Sequence, residues 1–429
     1  MELKKYKLGD IAEILISSID KKSKEGESPV RLCNFVDVYH NWAITADMVS
    51  NFMEATTSEK NIGRFSLKKG YVAFTKDSET RDDIGVPTYI AEDLDNTVLG
   101  YHCALVKPDE NIILGKYLNA FLHSDYIKRY FELNATGSGM RYTLSVDTLY
   151  NIPILAPSLD IQKRIGELFS NIDRKICINR SLNHYLEAMA KQLYDYWFVQ
   201  FDFPDANGKP YKSSGGKMVW NEKLKRDIPE GWDGKFIKDI ANTYSGGTPQ
   251  SSKREFYENG NIPWINSGEL NNPIITNTCN YITTLGLENS SAKLYPQNTI
   301  LVAMYGATAG KVSLLTFEAC SNQAICGVMP REEDLMNYLY CFLSSLYNHF
   351  IKISTGSARD NISQDIVRNT LIPIPSKDIL NRYAKVSDNL LKKVVLNQKE
   401  LELLEQQRDE LLSLLMTGQV SVKQLNNDL

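Results

Sequence analysis

The 429-residue sequence is poor in the short motifs that carry enzyme chemistry. It has no Gly-x-Gly-x-x-Gly, no Gly-x-Ser-x-Gly and no Asn/Asp-Pro-Pro-aromatic tetrapeptide. A dinucleotide fingerprint, a nucleophile elbow and a site for a methylatable amino group are therefore excluded. The five histidines (40, 102, 123, 184, 349) show no metal-ligand spacing. His102 and Cys103 are neighbours in an apolar run, where adjacent side chains point to opposite faces of a strand. The nearest approach to a phosphate loop is Gly306-Ala307-Thr308-Ala309-Gly310-Lys311-Val312. It has one residue too few between its glycines and a valine where Mg²⁺ needs a hydroxyl. The seven cysteines are scattered, with no Cys-x-x-Cys, which points to reduced thiols in a cytoplasmic setting. No apolar run reaches the ~18 residues of a membrane span, and Met1-Glu2-Leu3-Lys4-Lys5 opens no signal-peptide core. A basic domain is missing too. Residues 1–156 carry net −4, 157–230 net +2, 231–375 net −2 and 376–429 net 0, so a stand-alone nucleic-acid binder is not expected.

What the chain does have is an internal repeat with an offset of 218 residues. Leu144-Ser145-Val146-Asp147 returns as Ile362-Ser363-Gln364-Asp365, and Pro157-Ser158-Leu159-Asp160-Ile161 as Pro375-Ser376-Lys377-Asp378-Ile379. The register then holds without a gap through Asn179/Asn397 to Leu193/Leu411. Such self-similarity sets the architecture: two units, each a globular domain followed by a long helix. The boundaries are 1–156, 157–230 (helix 160–198 and a linker), 231–375, and 376–429 (helix 378–416 and a tail).

Neither helical stretch contains Pro, and Gly166 in the first is their single glycine; they open on Asp160 and Asp378, which suit the N-terminal turn. At about 60 Å each they imply a coiled coil or spacer. Seam positions of the second copy step by fours and threes: Leu390, Val394, Asn397, Leu401, Leu404, Arg408, Leu411, Leu415. The first copy gives Ile172, Ile176, Asn179, Asn183, Leu186, Ala190, Leu193, Trp197. This is a heptad seam with polar interruptions. Asn179 and Asn397 lie at the centres of their helices. If the helices run antiparallel about a pseudo-two-fold axis, the two amides meet, satisfy each other and set the register.

The globular units read as mixed α/β (α+β) with short strands, exemplified by Tyr71–Thr75, Cys103–Val106 and Thr299–Met304. A helix-like stretch ends each one, Gly115–Phe131 and Asp334–Ser354, and residues 201–232 read as a loop-like linker. Polar loops recur in both units. In the first they offer Lys76, Arg81, Ser138 and Arg141. In the second they offer Thr248, Lys253, Arg254, Asn266, Ser267, Tyr305, Thr308, Lys311, Ser357, Arg359 and Asn361. Arg, Lys and Asn read base edges, while small residues let backbone N–H groups approach phosphates. Taken singly, each of these residues also suits an ordinary surface turn.

Several stretches together carry a resemblance. They are Ser245-Gly246-Gly247-Thr248-Pro249, Ile262-Pro263-Trp264-Ile265-Asn266-Ser267-Gly268, Met304-Tyr305-Gly306-Ala307-Thr308, Asn322-Gln323-Ala324-Ile325-Cys326, and Tyr196-Trp197-Phe198-Val199-Gln200-Phe201-Asp202-Phe203-Pro204. The chain resembles, over essentially its whole length, the specificity (S) subunit of type I restriction–modification systems. The first unit departs more, lacking the Gly-Gly-Thr-Pro and Trp-Ile-x-Ser-Gly stretches. The resemblance implies two target-recognition domains, each reading half of a bipartite double-stranded DNA site, and antiparallel helices that fix the gap. It implies two methyltransferase (M) subunits, which bind S-adenosylmethionine and methylate adenine, and restriction (R) subunits, which use ATP and Mg²⁺. The chain itself would be non-catalytic, with no cofactor or metal of its own. Two other readings stay open here: a specificity module of a related methyltransferase or phage-defence system, and a coiled-coil adaptor that does not touch DNA.

Overall fold

A computed structural model describes residues 2–137, 139, 141–354 and 361–419. By packing, the chain forms two compact units, Met1–Ile178 with Glu402–Leu429, and Asn179–Leu401. The division falls inside both long helices, not at their starts. Each unit is one globular domain plus half of each helix, because a long helix gains its stability by burying one face against a neighbour.

In the first unit a five-stranded sheet runs in the order Ala12–Ile16, Cys103–Pro108, Val72–Thr75, Pro87–Ile90, Ala43–Ile44. All pairs are antiparallel except the last. A three-stranded sheet places Ser28–Cys33 between antiparallel Met53–Thr57 and parallel Thr97–Leu99. Lys4–Lys7 pairs with Pro153–Ala156, bringing the two ends of the domain together.

The second unit repeats this plan. Its five strands are ordered Ala241–Ser245, Ile325–Pro330, Ile300–Ala303, Val312–Leu315, Ile274–Ile275, again with only the last pair parallel. Ile262–Ile265 lies between antiparallel Tyr281–Ile282 and parallel Cys320–Ser321, and Asp233–Phe236 pairs with Leu371–Ile374. Loop hydrogen bonds fix the equivalences. Lys76 N donates to His102 O at 2.7 Å, and Met304 N to Ala324 O at 2.7 Å. Leu144 N donates to Lys76 O at 2.9 Å, and Ile362 N to Met304 O at 2.6 Å. The duplication therefore includes the globular domains, which share one strand order.

The stretches expected as single helices, Gly115–Phe131 and Asp334–Ser354, are each broken. They form Gly115–Leu122 and Asp125–Asn134, and Met336–Ser345 and Tyr347–Ser354. A serine hydroxyl turns back on the preceding turn at each break. Ser124 Oγ donates to Phe121 O and Ser345 Oγ to Phe342 O, both at 2.6 Å, offering the backbone an alternative to helix continuation.

The long helices span Leu159–Tyr194, continued by a π-helical turn at Asp195–Val199, and Lys377–Met416. Asp160 and Asp378 sit in the first turns and pair with Arg164 (3.2 Å) and Arg382 (3.5 Å) one turn on. None of the sixteen seam positions is exposed. Within the second unit the direction is antiparallel. Trp197 meets Tyr383 at 5.7 Å between ring centroids, while Ala190 and Glu187 line one cavity with Leu390 and Val394.

Asn179 and Asn397 both have buried Nδ2 atoms, but neither Nδ2 has a hydrogen-bond partner. The reciprocal amide pair expected from the sequence is not formed. The seam buries both amides in a mainly apolar stripe that supplies their Nδ2 atoms with no acceptor.

Residues 201–232 are also more ordered than a linker. Met218–Asn221 and Arg226–Pro229 form a hairpin, and Phe203 stacks on Trp232 at 5.4 Å. Asp202 accepts from the Ser213 backbone N–H (2.7 Å) and hydroxyl (2.6 Å). Phe201, Phe203, Ile228 and Trp232 all belong to the core of the second unit. The aromatic content of the segment outweighs its Gly, Lys and Ser content, because each buried ring removes a large apolar area from water.

Candidate nucleic-acid interface

The polar residues that sequence reasoning picked out gather at the ends of equivalent strands. In the second unit the Gly246-Gly247 turn runs tight against the backbone. A Cβ on Gly246 would lie 2.1 Å from Asn322 O, and one on Gly247 2.2 Å from Ala292 N. This close approach carries Thr248 to Gln323, to whose Oε1 its hydroxyl is hydrogen-bonded. Tyr305 Oη donates to Gln323 O at 2.7 Å, and Tyr305 bridges to Asn361. Asn322 Nδ2 donates to Asn266 Oδ1 at 3.2 Å. Asn266 caps the short 3₁₀ turn Ser267–Asn271, with Glu269 accepting from its backbone N–H at 2.8 Å. The four motif stretches thus form one connected polar rosette holding Thr248, Asn266, Ser267, Tyr305 and Asn361.

Other candidates lie outside this rosette. Exposed Lys253 stands over the Phe256 ring at 4.9 Å, and exposed Arg254 faces Glu258 at 3.9 Å. Lys311 Nζ donates to Asn271 Oδ1. Thr308 is only 4 % exposed, so the structure removes it from the accessible face. The turn Ala307–Gly310 that surrounds it folds back on the sheet, with Gly310 N bonded to Ala303 O at 2.9 Å. Ser138, Ser357 and Arg359 lie outside the described residues.

The first unit builds a different cluster at the equivalent place. Asp77, which corresponds to Tyr305, bridges Tyr142–Thr143 in a small sheet. Its carboxylate meets Lys76 Nζ at 3.0 Å, Arg141 Nη2 at 3.4 Å and the His102 ring. Lys76 Nζ also donates to Thr143 Oγ1 at 2.8 Å. Burial alone would raise the Asp77 carboxyl, but hydrogen bonds from Thr143, His102 and Lys76 outweigh it and hold the pKa at about 2. Lys76 is therefore tied into a half-buried ion pair and is not a free cation. The exposed Arg81 guanidinium lies 5.2 Å from the Tyr142 ring centroid. The adjacent concavity is lined by Arg141, Asp77 and His102 together with the carboxylates of Glu79 and Asp83.

Asp77 and Gln323 belong to the polar loops legible in the sequence but are not singled out there as contacts, and His102 is set aside. No local signal marks His102; its place at a strand end does. Asn34 and its partner Asp37 repeat the Asn266–Glu269 cap, with Asn34 N donating to Asp37 Oδ2 at 2.7 Å. Ser17 stands where the second unit has Gly246, since Ser17 N bonds Cys103 O and Gly246 N bonds Ile325 O. The Gly-Gly-Thr-Pro loop of the second unit thus has a serine-based counterpart in the first.

Comparison with known proteins agrees with this duplicated plan. The family model for the type I restriction modification DNA specificity domain matches residues 1–188 and 229–406. The chain is 26 % identical to the HindI specificity subunit of Haemophilus influenzae, over 97 % of this chain and 99 % of that one. It is 25 % identical to the MjaIX specificity subunit of Methanocaldococcus jannaschii, over 87 % and 83 %. In fold it matches the crystal structure of an S subunit from M. genitalium with a TM-score of 0.60 at 15 % identity, covering 96 % of this chain and 95 % of that one. The chain belongs to the type I restriction–modification DNA specificity family. A specificity subunit is the non-catalytic member of its system, and the reading as an adaptor that does not touch DNA is not favoured. Among the described residues, no helix is long and apolar enough to cross a membrane.

Proposed function

We propose that each unit reads one half of a bipartite DNA site. In this reading the paired helices set the spacing between the halves and dock two methyltransferase subunits. Those partners bind S-adenosylmethionine and methylate adenine, and restriction subunits with ATP and Mg²⁺ join them. The observation that carries the reading is a contrast at equivalent strand ends. One unit presents an uncharged rosette of Thr248, Asn266, Tyr305 and Gln323. The other presents charged Arg81, Arg141 and Asp77. A shared scaffold with unlike polar groups suits two unlike half-sites, because groove-facing side chains determine direct readout. The net charge of −4 fits a chain that relies on partners for most phosphate neutralisation.

Replacing residues 231–375 with the equivalent domain of another family member, in the assembled complex, tests the reading. Methylated adenines mapped across a host genome should then change in one half-site and keep the other half and the gap. A change in both halves, or in neither, would refute the assignment of one unit to each half.

A further inference from the structure

The two units differ sharply at one further place. In the first unit, Trp42 stacks on His123 with ring centroids 4.0 Å apart and planes 6° from parallel. Phe169 lies 6.0 Å from the Trp42 ring and the Arg408 guanidinium 5.8 Å from it. Hydrogen bonds identify the equivalents in the second unit. Asn119 Nδ2 donates to Trp42 O at 3.1 Å, and Tyr340 Oη to Pro273 O at 3.2 Å, so Trp42 corresponds to Pro273. The Ser124–Phe121 and Ser345–Phe342 bonds align His123 with Ser344. The helix repeat aligns Phe169 with Ser387 and Arg408 with Ala190.

Four large side chains are thus replaced by four small ones, and all four small ones line a single cavity of about 230 Å³. Exposed Pro273 and Ser344 mark its mouth. Tyr194, Tyr383, Leu390 and Val394 give it a largely apolar wall. Asn337, 4 % exposed, also lines the cavity and has an Oδ1 that is buried without a hydrogen-bond partner. Its Nδ2 is already committed to Ser387 Oγ at 3.1 Å and to Asp388. A buried oxygen without a donor is costly, and a ligand N–H would satisfy it. A cavity of roughly 150 Å³ already accepts benzene, so this one has room for a fused ring pair.

We propose that the second unit carries a binding site for a small, neutral, planar heteroaromatic molecule with one N–H donor. The ring takes the place that the Trp42 indole occupies in the first unit, and its N–H donates to Asn337 Oδ1. This inference rests on the packing of the second unit and is independent of the DNA reading.

Indole is a suitable probe, titrated into the full chain by ligand-observed NMR and thermal melting. One saturable site per chain and a raised Tm are expected. Pro273→Trp, which copies the first unit, should abolish binding, and Ser387→Phe is a second filling variant should the first fold poorly. 1-Methylindole, lacking the donor, should bind on the order of tenfold more weakly. No saturable binding, or undiminished binding to a folded filling variant, would overturn the site. Equal affinity for 1-methylindole would overturn the role of Asn337. If indole fails to bind while Pro273→Trp weakens association with a methyltransferase subunit, the cavity is a protein-docking socket and the proposal is wrong.

Discussion

Asp77 shows how one residue organises a site that lacks a motif. Its carboxyl is held at about 2 by three hydrogen-bond donors despite burial. A carboxyl depressed in the folded state contributes stability above its unfolded pKa of ~3.9 and loses it as pH falls through the folded value. Asp77→Asn should therefore destabilise the first unit by about 2 kcal/mol at pH 7. Denaturant unfolding of the two proteins should converge between about pH 4 and pH 2. A difference independent of pH would mean that the carboxylate charge is not the cause. At Gly246 the constraint is steric: a Cβ would stand 2.1 Å from Asn322 O. Gly246→Ala should cost about 1–3 kcal/mol through forced backbone displacement, seen as a lower Tm for the second unit. In DNA-binding assays of the assembled complex it should relax preference at one half-site only.

At the scale of elements, the helices were the most legible part of the chain. Freedom from Pro, a first-turn aspartate and a three-four step of seam positions are local properties. They located both helices to within a few residues, and all sixteen seam positions are at least half-buried. The amides at the centre were not legible, because hydrogen bonding depends on side-chain geometry that the repeat does not encode. With both Nδ2 atoms buried and unpartnered, the double variant Asn179→Leu/Asn397→Leu should be more stable by about 1–3 kcal/mol. Thermal melting measures this; a lower Tm would show that the amides are stabilising as they stand. The hairpin at Met218–Pro229 was missed for a related reason. Its strands are only four residues each, the turn between them carries Lys223 and Lys225, and rings outside the hairpin, Phe203 against Trp232, pack in the same segment.

For the whole molecule, the duplication leads to the ruler prediction. Removing one heptad from each long helix keeps the seam in phase and shortens the spacer by about 10 Å. The assembled complex should then prefer a shorter gap between unchanged half-sites, read out by methylation mapping. Altered half-site sequences with an unchanged gap would contradict the spacer role.

The sequence alone determined the duplication, the two long helices and their seam, and the family, because periodicity and motif spelling are local and additive along the chain. Tertiary structure alone decided three other things. It showed that the diverged globular domains share one sheet order, that Thr248, Asn266 and Tyr305 converge through a glycine-permitted close approach, and that Asp77 and His102 occupy the matching place in the first unit. It also revealed that Pro273, Ser344, Ser387 and Ala190 jointly open a cavity where their counterparts stack. Each of these depends on residues far apart in the chain meeting in space, and hydrogen-bond geometry and packing volume exist only once they have met.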